Sequence, residues 1–259
     1  MNHIVLSCLV LLLMVSPPQE KPKHLYDIYE GPTLLHHGYE IRVLGKNSSY
    51  AVIKRNNKLV AKFDAELYHP EGNFTDFGRF DLLGDGTQPV IISTTVSRGG
   101  RHWVVSLYPE FRVLFDSGDY GVGREEFYVI DVDKDGVYEI SLEVPAFYEM
   151  QDKMYIAEIP LPEILFKYDP TQKKYLPANQ LHADYALRSI DAEIQGLNEG
   201  KNYLSKRLRI LLRYIYAGRE KEGWAFFEAA YQRPDKEAIT ARIKAVLSEQ
   251  RTYKYLYPD

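Results

Sequence analysis

The chain has a single cysteine, Cys8, among its 259 residues. Disulfides therefore cannot hold the fold. A basic excess is missing as well, since 36 acidic residues against 32 Lys and Arg leave a formal charge of −4. That balance argues against a nucleic-acid partner, which calls for a basic patch or stripe. The densest basic stretch, 201–213, places Lys201, Lys206, Arg207, Arg209 and Arg213 between apolar residues, as on the solvated side of a helix. No apolar run reaches the roughly 20 residues of a membrane-spanning helix. The G-x-S-x-G, P-loop and H-E-x-x-H patterns are also absent.

What is present is ordinary globular composition, 45% hydrophobic and 26% charged. Residues 4–15 are apolar apart from Ser7 and Cys8, and Ser16-Pro17-Pro18 follows. A run of that length fits the core of a secretory signal, which predicts a signal peptide over 1–18 and export to the periplasm or the extracellular space. The stretch Val5-Leu6-Ser7-Cys8 resembles a bacterial lipobox, although the apolar run continues past the cysteine. Membrane contact is then expected only through the signal or a lipid anchor at Cys8.

From 24 to 176 the pattern predicts an antiparallel all-β region. Short segments at 50–53, 89–93, 103–107 and 127–130 are rich in β-branched and aromatic residues, and Gly, Asn and Asp clusters separate them. A repeat of about fifty residues runs through them. Phe63-Asp64, Phe115-Asp116 and Tyr168-Asp169 each end a strand-like segment, and an acidic Gly loop lies inside two of the units, at 81–86 and 131–136. The expectation is a set of blade-like repeats, related to a propeller and either open or completed by other segments.

Residues 182–256 predict a second, α-helical part, giving an α+β chain with the two segregated in sequence. Helices are expected over 184–197, 203–216 and 223–232, with a fourth opened by Pro234-Asp235. Gly218 supplies a left-handed cap after the second. Short connections imply an antiparallel bundle, and 212–229 resembles a single tetratricopeptide-type helical hairpin.

The sharpest motif is Asp131-Val132-Asp133-Lys134-Asp135-Gly136-Val137-Tyr138-Glu139. Calcium takes six to eight hard oxygen ligands, and alternate carboxylates at loop positions 1, 3 and 5 can turn around one ion. Gly136 allows the sharp turn, the Val137 carbonyl can face the metal, and Glu139 can close the sphere directly or through water. Four carboxylates in nine positions repel one another, a cost that a dication removes, and the absence of Cys and His from the loop argues against zinc or copper. The flanks read as strands and position 12 is Leu142, so this is not an EF-hand. The loop resembles the calcium hairpins of integrin-type FG-GAP/VCBS repeats. That resemblance implies a calcium-stabilised extracellular β-repeat used for binding, with Asp131, Asp133, Asp135, Val137 and Glu139 holding Ca2+. The loop 81–86 keeps fewer acids and is expected to preserve the turn without the ion.

Other candidates are thinner. His36 and His37 are adjacent, so in a strand they point to opposite faces. Ser93, His102 and Asp116 are a trio that any long chain offers. The 21 tyrosines suit both strands and stacking on sugars or protein partners. Asn47-Ser48-Ser49 and Asn73-Phe74-Thr75 fit the glycosylation sequon. The expectation is an exported, non-catalytic binding or structural protein with an unidentified protein or glycan ligand. The alternative is a periplasmic or extracellular hydrolase of a polymer such as glycan, using carboxylates such as Asp116, Asp119, Glu125 and Glu126.

Overall fold

The computed structural model describes residues 23–24, 31–44, 50–64, 74–96, 99–121, 127–144, 147–200 and 202–258. The predicted signal segment 1–18 with Cys8, the carboxylates Glu125 and Glu126, and both sequon asparagines lie outside them.

Three antiparallel sheets follow one another along the chain, and among the described residues none closes into a barrel. The first is a meander of β2 (Thr33–His36), β3 (Tyr39–Leu44), β4 (Tyr50–Arg55) and β5 (Lys58–Asp64). The second is a meander of β6 (Phe74–Arg79), β7 (Val90–Val96), β8 (Gly99–Ser106) and β9 (Arg112–Asp116). The third runs β10 (Phe127–Ile130), β11 (Glu139–Glu143), β12 (Glu163–Asp169) and β13 (Lys174–Pro177). The short β1 (Lys23–His24) pairs with β10, so the beginning of the described chain joins the sheet formed last.

The second sheet is buried on both faces, and strand alternation explains how. Val90, Ile92, Trp103 and Val105 share a buried cluster with Ile41, Ile53 and Phe63 of the first sheet. Their neighbours Ile91 and Val104 point the other way, into a cluster with Phe127, Ile140 and Phe166 of the third. A register shift between β8 and β9 leaves Leu114 as the extra residue, so Leu114 and the following Phe115 both face that second cluster. Each of these buried side chains contributes about 1.5–3 kcal/mol relative to exposure.

The fifty-residue repeat therefore appears as four-strand units, with one departure. Phe63-Asp64 and Phe115-Asp116 end the last strands of their sheets, β5 and β9, whereas Tyr168-Asp169 ends β12, and β13 follows it.

The C-terminal region contains α1 (Ala183–Ala186), α2 (Ile190–Gln195), α3 (Tyr203–Tyr216), α4 (Glu220–Ala230), α5 (Lys236–Glu249) and α6 (Arg251–Leu256). The single helix expected over 184–197 is broken, because Ser189 adopts a left-handed conformation at φ 63° between α1 and α2. Helix α3 buries Leu204, Leu208, Leu211, Leu212 and Ile215 along one stripe. Gly223 lets α4 approach it, since a Cβ there would lie 2.9 Å from Tyr214 Cβ. Arg207, expected on a solvated face, is buried instead; its Nε donates to the Ala230 carbonyl at the end of α4, 2.7 Å away. Asp235 precedes α5 as expected, but its carboxylate accepts from the Tyr231 hydroxyl and does not cap the helix. Leu208, Leu211 and Phe227 belong to the same buried cluster as Ile140 and Phe166, so helices and third sheet share one core. Among the described residues no helix is long and apolar enough to cross a membrane.

Candidate metal centre

The loop 131–136 joins β10 to β11, the first two strands of the third sheet's meander. Its backbone is set by its own side chains. Asp131 Oδ1 accepts from the Asp135 amide and Oδ2 from the Gly136 amide, both at 3.1 Å. Asp135 Oδ1 accepts from the Val137 amide at 2.8 Å. Lys134 and Gly136 take positive φ, 61° and 83°. These bonds use one side of the loop acids and leave Asp133 Oδ2, Asp135 Oδ2 and Glu139 Oε1 converging on a common point.

A cation of the chain itself stands at that point. Lys167 on β12 donates to Asp133 Oδ2 at 2.8 Å, Asp135 Oδ2 at 2.8 Å and Glu139 Oε1 at 2.9 Å. All three ammonium protons are thereby used. Burial opposes the charge on Lys167, but the bonds from Asp133, Asp135 and Glu139 outweigh it and raise its pKa above the ordinary 10.5. Asp135 is shifted down, first by the Lys167 bond and then by the Val137 amide. Four loop carboxylates against Lys167 and the loop's own Lys134 still leave two negative charges uncompensated at the cluster.

Glu139 is the buried end of the site, with no exposed surface. Its Oε2 accepts from the Val132 amide at 2.9 Å. Burial pushes its pKa up, yet His182, the Val132 amide and Lys167 together hold it below the ordinary 4.5. His182 lies just before α1, in the segment that leaves the third sheet. Its Nε2 is 3.4 Å from Glu139 Oε1 but outside hydrogen-bond alignment, and this buried nitrogen has no hydrogen-bond partner.

The donor atoms form two overlapping groups that share Asp133, each close enough to hold an ion. Suitable atoms of Asp131, Asp133 and Asp135 lie within 4.8 Å of one another, as do those of Asp133, Glu139 and His182. Two oxygens on opposite sides of a calcium ion stand about 4.6–5.2 Å apart, so the first group can surround it without opening the loop. Of the sequence-predicted ligands, Asp131, Asp133 and Asp135 are brought together, and Glu139 lies with Asp133 in the second group. Val137 is placed in the same turn, where its amide serves Asp135.

Lys167 and His182 escape the motif reading because both lie far along the chain. A signal for Lys167 does exist. On β12 it alternates with buried Phe166 and shares a face with fully buried Leu165, and an inward-facing Lys requires acidic partners.

The remaining candidates resolve differently. Ser93 Oγ and His102 Nδ1 meet at 2.6 Å as a buried cross-strand pair between β7 and β8. Asp116 is instead held by Arg101, at 2.9 and 2.7 Å. Asp119 is an exposed residue near Arg251. His36 and His37 do not point apart as adjacent strand residues would. His37 takes φ 48° in the turn, and Nε2 of both rings lies within 3.3 Å of the Thr87 carbonyl. Two carboxylates outside the motif, Glu143 and Glu163, are direct cross-strand neighbours lining a cleft of about 510 Å³.

Comparison with family models, with curated proteins and with solved structures returns no match for this chain.

Proposed function

We propose that this protein is an exported, non-catalytic binding or structural protein whose blade-like β-repeats are fixed by a cation at the loop 131–139, with Ca2+ as the ion of its oxygen ligands. The observation that carries the reading is the convergence of the Asp133, Asp135 and Glu139 carboxylates at the hairpin between β10 and β11, with Asp131 beside Asp133 and Asp135. One ammonium does not neutralise them. A dication of higher charge is therefore favoured at the same point, with Lys167, already partly exposed, swinging out to solvent. Face-to-face burial of the second sheet, and the pairing of β1 with the last sheet, support a propeller-related arrangement. Extracellular calcium saturates even weak sites, so the ion's role is to stabilise the fold. The partner is a protein or glycan.

The test is a thermal melt of the purified protein in calcium, in magnesium and in EDTA. Calcium is expected to raise Tm by several degrees and magnesium to leave it unchanged, with the calcium gain abolished in Asp133→Ala. Identical melts in calcium and EDTA would sink the calcium assignment.

The cleft that holds Glu143 and Glu163 favours a second reading, a hydrolase of an extracellular polymer such as glycan. Paired carboxylates in one cleft are the usual equipment for glycoside hydrolysis. Arg188 already engages Glu163 at 2.7 Å, so this reading requires that ion pair to open. Release of reducing sugar by the wild type, lost in Glu163→Gln, would establish it.

A further inference from the structure

We propose that the inner end of this cluster, Asp133, Glu139 and His182, is a site for a divalent first-row transition ion, for which Zn2+ is the probe. The proposal rests on reading the cluster as a cation site, but it needs none of the calcium loop's special oxygen geometry. The observation that separates it is His182. This imidazole is 8% exposed, and its Nε2 is aimed at the cluster, in charge contact with Glu139 but with no aligned hydrogen bond. A buried polar nitrogen without a partner is costly, and buried polar groups are otherwise paired in native structures. The Glu139 Oε1 to His182 Nε2 separation is 3.4 Å. Two ligands on one tetrahedral ion at about 2.1 Å stand about 3.4 Å apart, so these two atoms are already spaced for a shared metal.

The donor set decides the class of ion. Calcium takes oxygen ligands. Neutral imidazole with carboxylates suits zinc and its first-row neighbours. Asp133 Oδ2 and Glu139 Oε1 lie 2.8 and 2.9 Å from the Lys167 nitrogen, so an ion replacing that ammonium needs only a small inward movement of the exposed loop to reach about 2.0–2.2 Å. Asp135 or a water supplies the fourth ligand. The ion would tie the loop and strand β11 to the segment that begins the helical region.

The experiment is a calorimetric titration of the full-length protein, freed of metal by chelator, with Zn2+ and separately with Ca2+. One equivalent of Zn2+ is expected to bind, and His182→Gln to weaken it at least tenfold, because even outer-sphere changes at metal sites cost about 10–100-fold. Ca2+ binding is expected to be the same in both proteins. Equal Zn2+ affinity in the variant, or no Zn2+ binding at all, overturns the proposal. His182-dependent Zn2+ binding with no Ca2+ binding overturns the calcium reading and supports this one. A metal-free melt shows whether His182→Gln is folded. Lys167→Met, which keeps His182 and removes the competing ammonium, is expected to tighten Zn2+ by about tenfold, because a like charge at contact distance from a dication is removed; unchanged or weaker binding there overturns the proposal independently.

Discussion

The loops 81–86 and 131–136 turn the chain in the same way. The fourth residue is left-handed in both, Gly84 at φ 65° and Lys134 at φ 61°, and so is the sixth, Gly86 and Gly136. In each, the first Asp accepts from the sixth amide and the fifth Asp from the seventh. The loops also touch, for Tyr138 donates its amide to the Leu82 carbonyl at 2.8 Å, and Phe80 meets Tyr138 edge to face. Yet only the second carries charge at its third place, Asp133 where the first has Leu83, and only it has Lys167 and His182 behind it. The turn depends on positions 1, 4, 5 and 6. The cluster around Lys167 depends on what the third and ninth positions add, and on two distant residues.

The most damaging way to break this comparison is at Glu139. Glu139→Ala removes a fully buried acceptor from Lys167 and the Val132 amide. Losing one partner of a buried ion pair costs about 3–5 kcal/mol. Lys167 keeps Asp133 and Asp135, so we expect the lower end, about 3 kcal/mol, read from urea unfolding. Asp85→Ala, in the first loop, loses only hydrogen bonds to Thr87 at an exposed site and is expected to cost about 1 kcal/mol. Similar losses in the two variants would mean that the charged loop is no more than a turn.

Gly84→Ala comes next, because it attacks the contact between the loops. A Cβ at Gly84 would lie 2.5 Å from the Gly136 carbonyl oxygen, on a residue already at positive φ. Conformational strain of about 1–2 kcal/mol and weakening of the Tyr138–Leu82 bond, about 1 kcal/mol, together predict a loss of about 2 kcal/mol. A neutral result would show that the loops separate freely.

Acidity should distinguish the loops as well. The folded Glu139 carboxyl sits below its ordinary 4.5, so its contribution is present above that pH and is lost as pH falls through the lower folded value. Lys167 works in the opposite direction. Its folded value is raised, so its contribution is complete below 10.5 and is lost as pH rises through the folded value. Urea midpoints of wild type and Glu139→Gln are therefore expected to converge in acid. A gap that stays constant from neutral pH down through the acid range would contradict the depressed Glu139 value.

How much of this the sequence discloses depends on the range of the interaction. Helix α3 runs 203–216 as its apolar spacing predicts, and Gly218 ends it at φ 79°, because amphipathic period and cap are local. The acidic turns are local too, and their side-chain-to-backbone bonds span five residues or fewer. The break at Ser189 is not local. Arg188 is drawn to Glu163, 25 residues back, and the chain bends there against the propensity of 184–197. Burial of Arg207 likewise depends on the end of α4, which no pattern within 201–213 records. The cation cluster follows the same rule, with its loop acids readable and Lys167 and His182 supplied by tertiary pairing.

The smallest effect sharpens the comparison from the other side. Lys134 occupies the left-handed position that Gly84 fills in the first loop, and a non-glycine residue there costs about 1–2 kcal/mol. Lys134→Gly relieves that strain but adds about 0.4–1 kcal/mol of chain entropy to the unfolded state. The net expectation is a gain of about 0.5 kcal/mol, seen as a small rise in urea midpoint with unchanged slope. Lys167, not Lys134, contacts the cluster carboxylates, so metal affinity should hold or rise slightly as a nearby positive charge is removed. A marked loss of affinity would show that Lys134 helps to shape the loop, and that the two turns differ at a position where their backbones agree to within 4°.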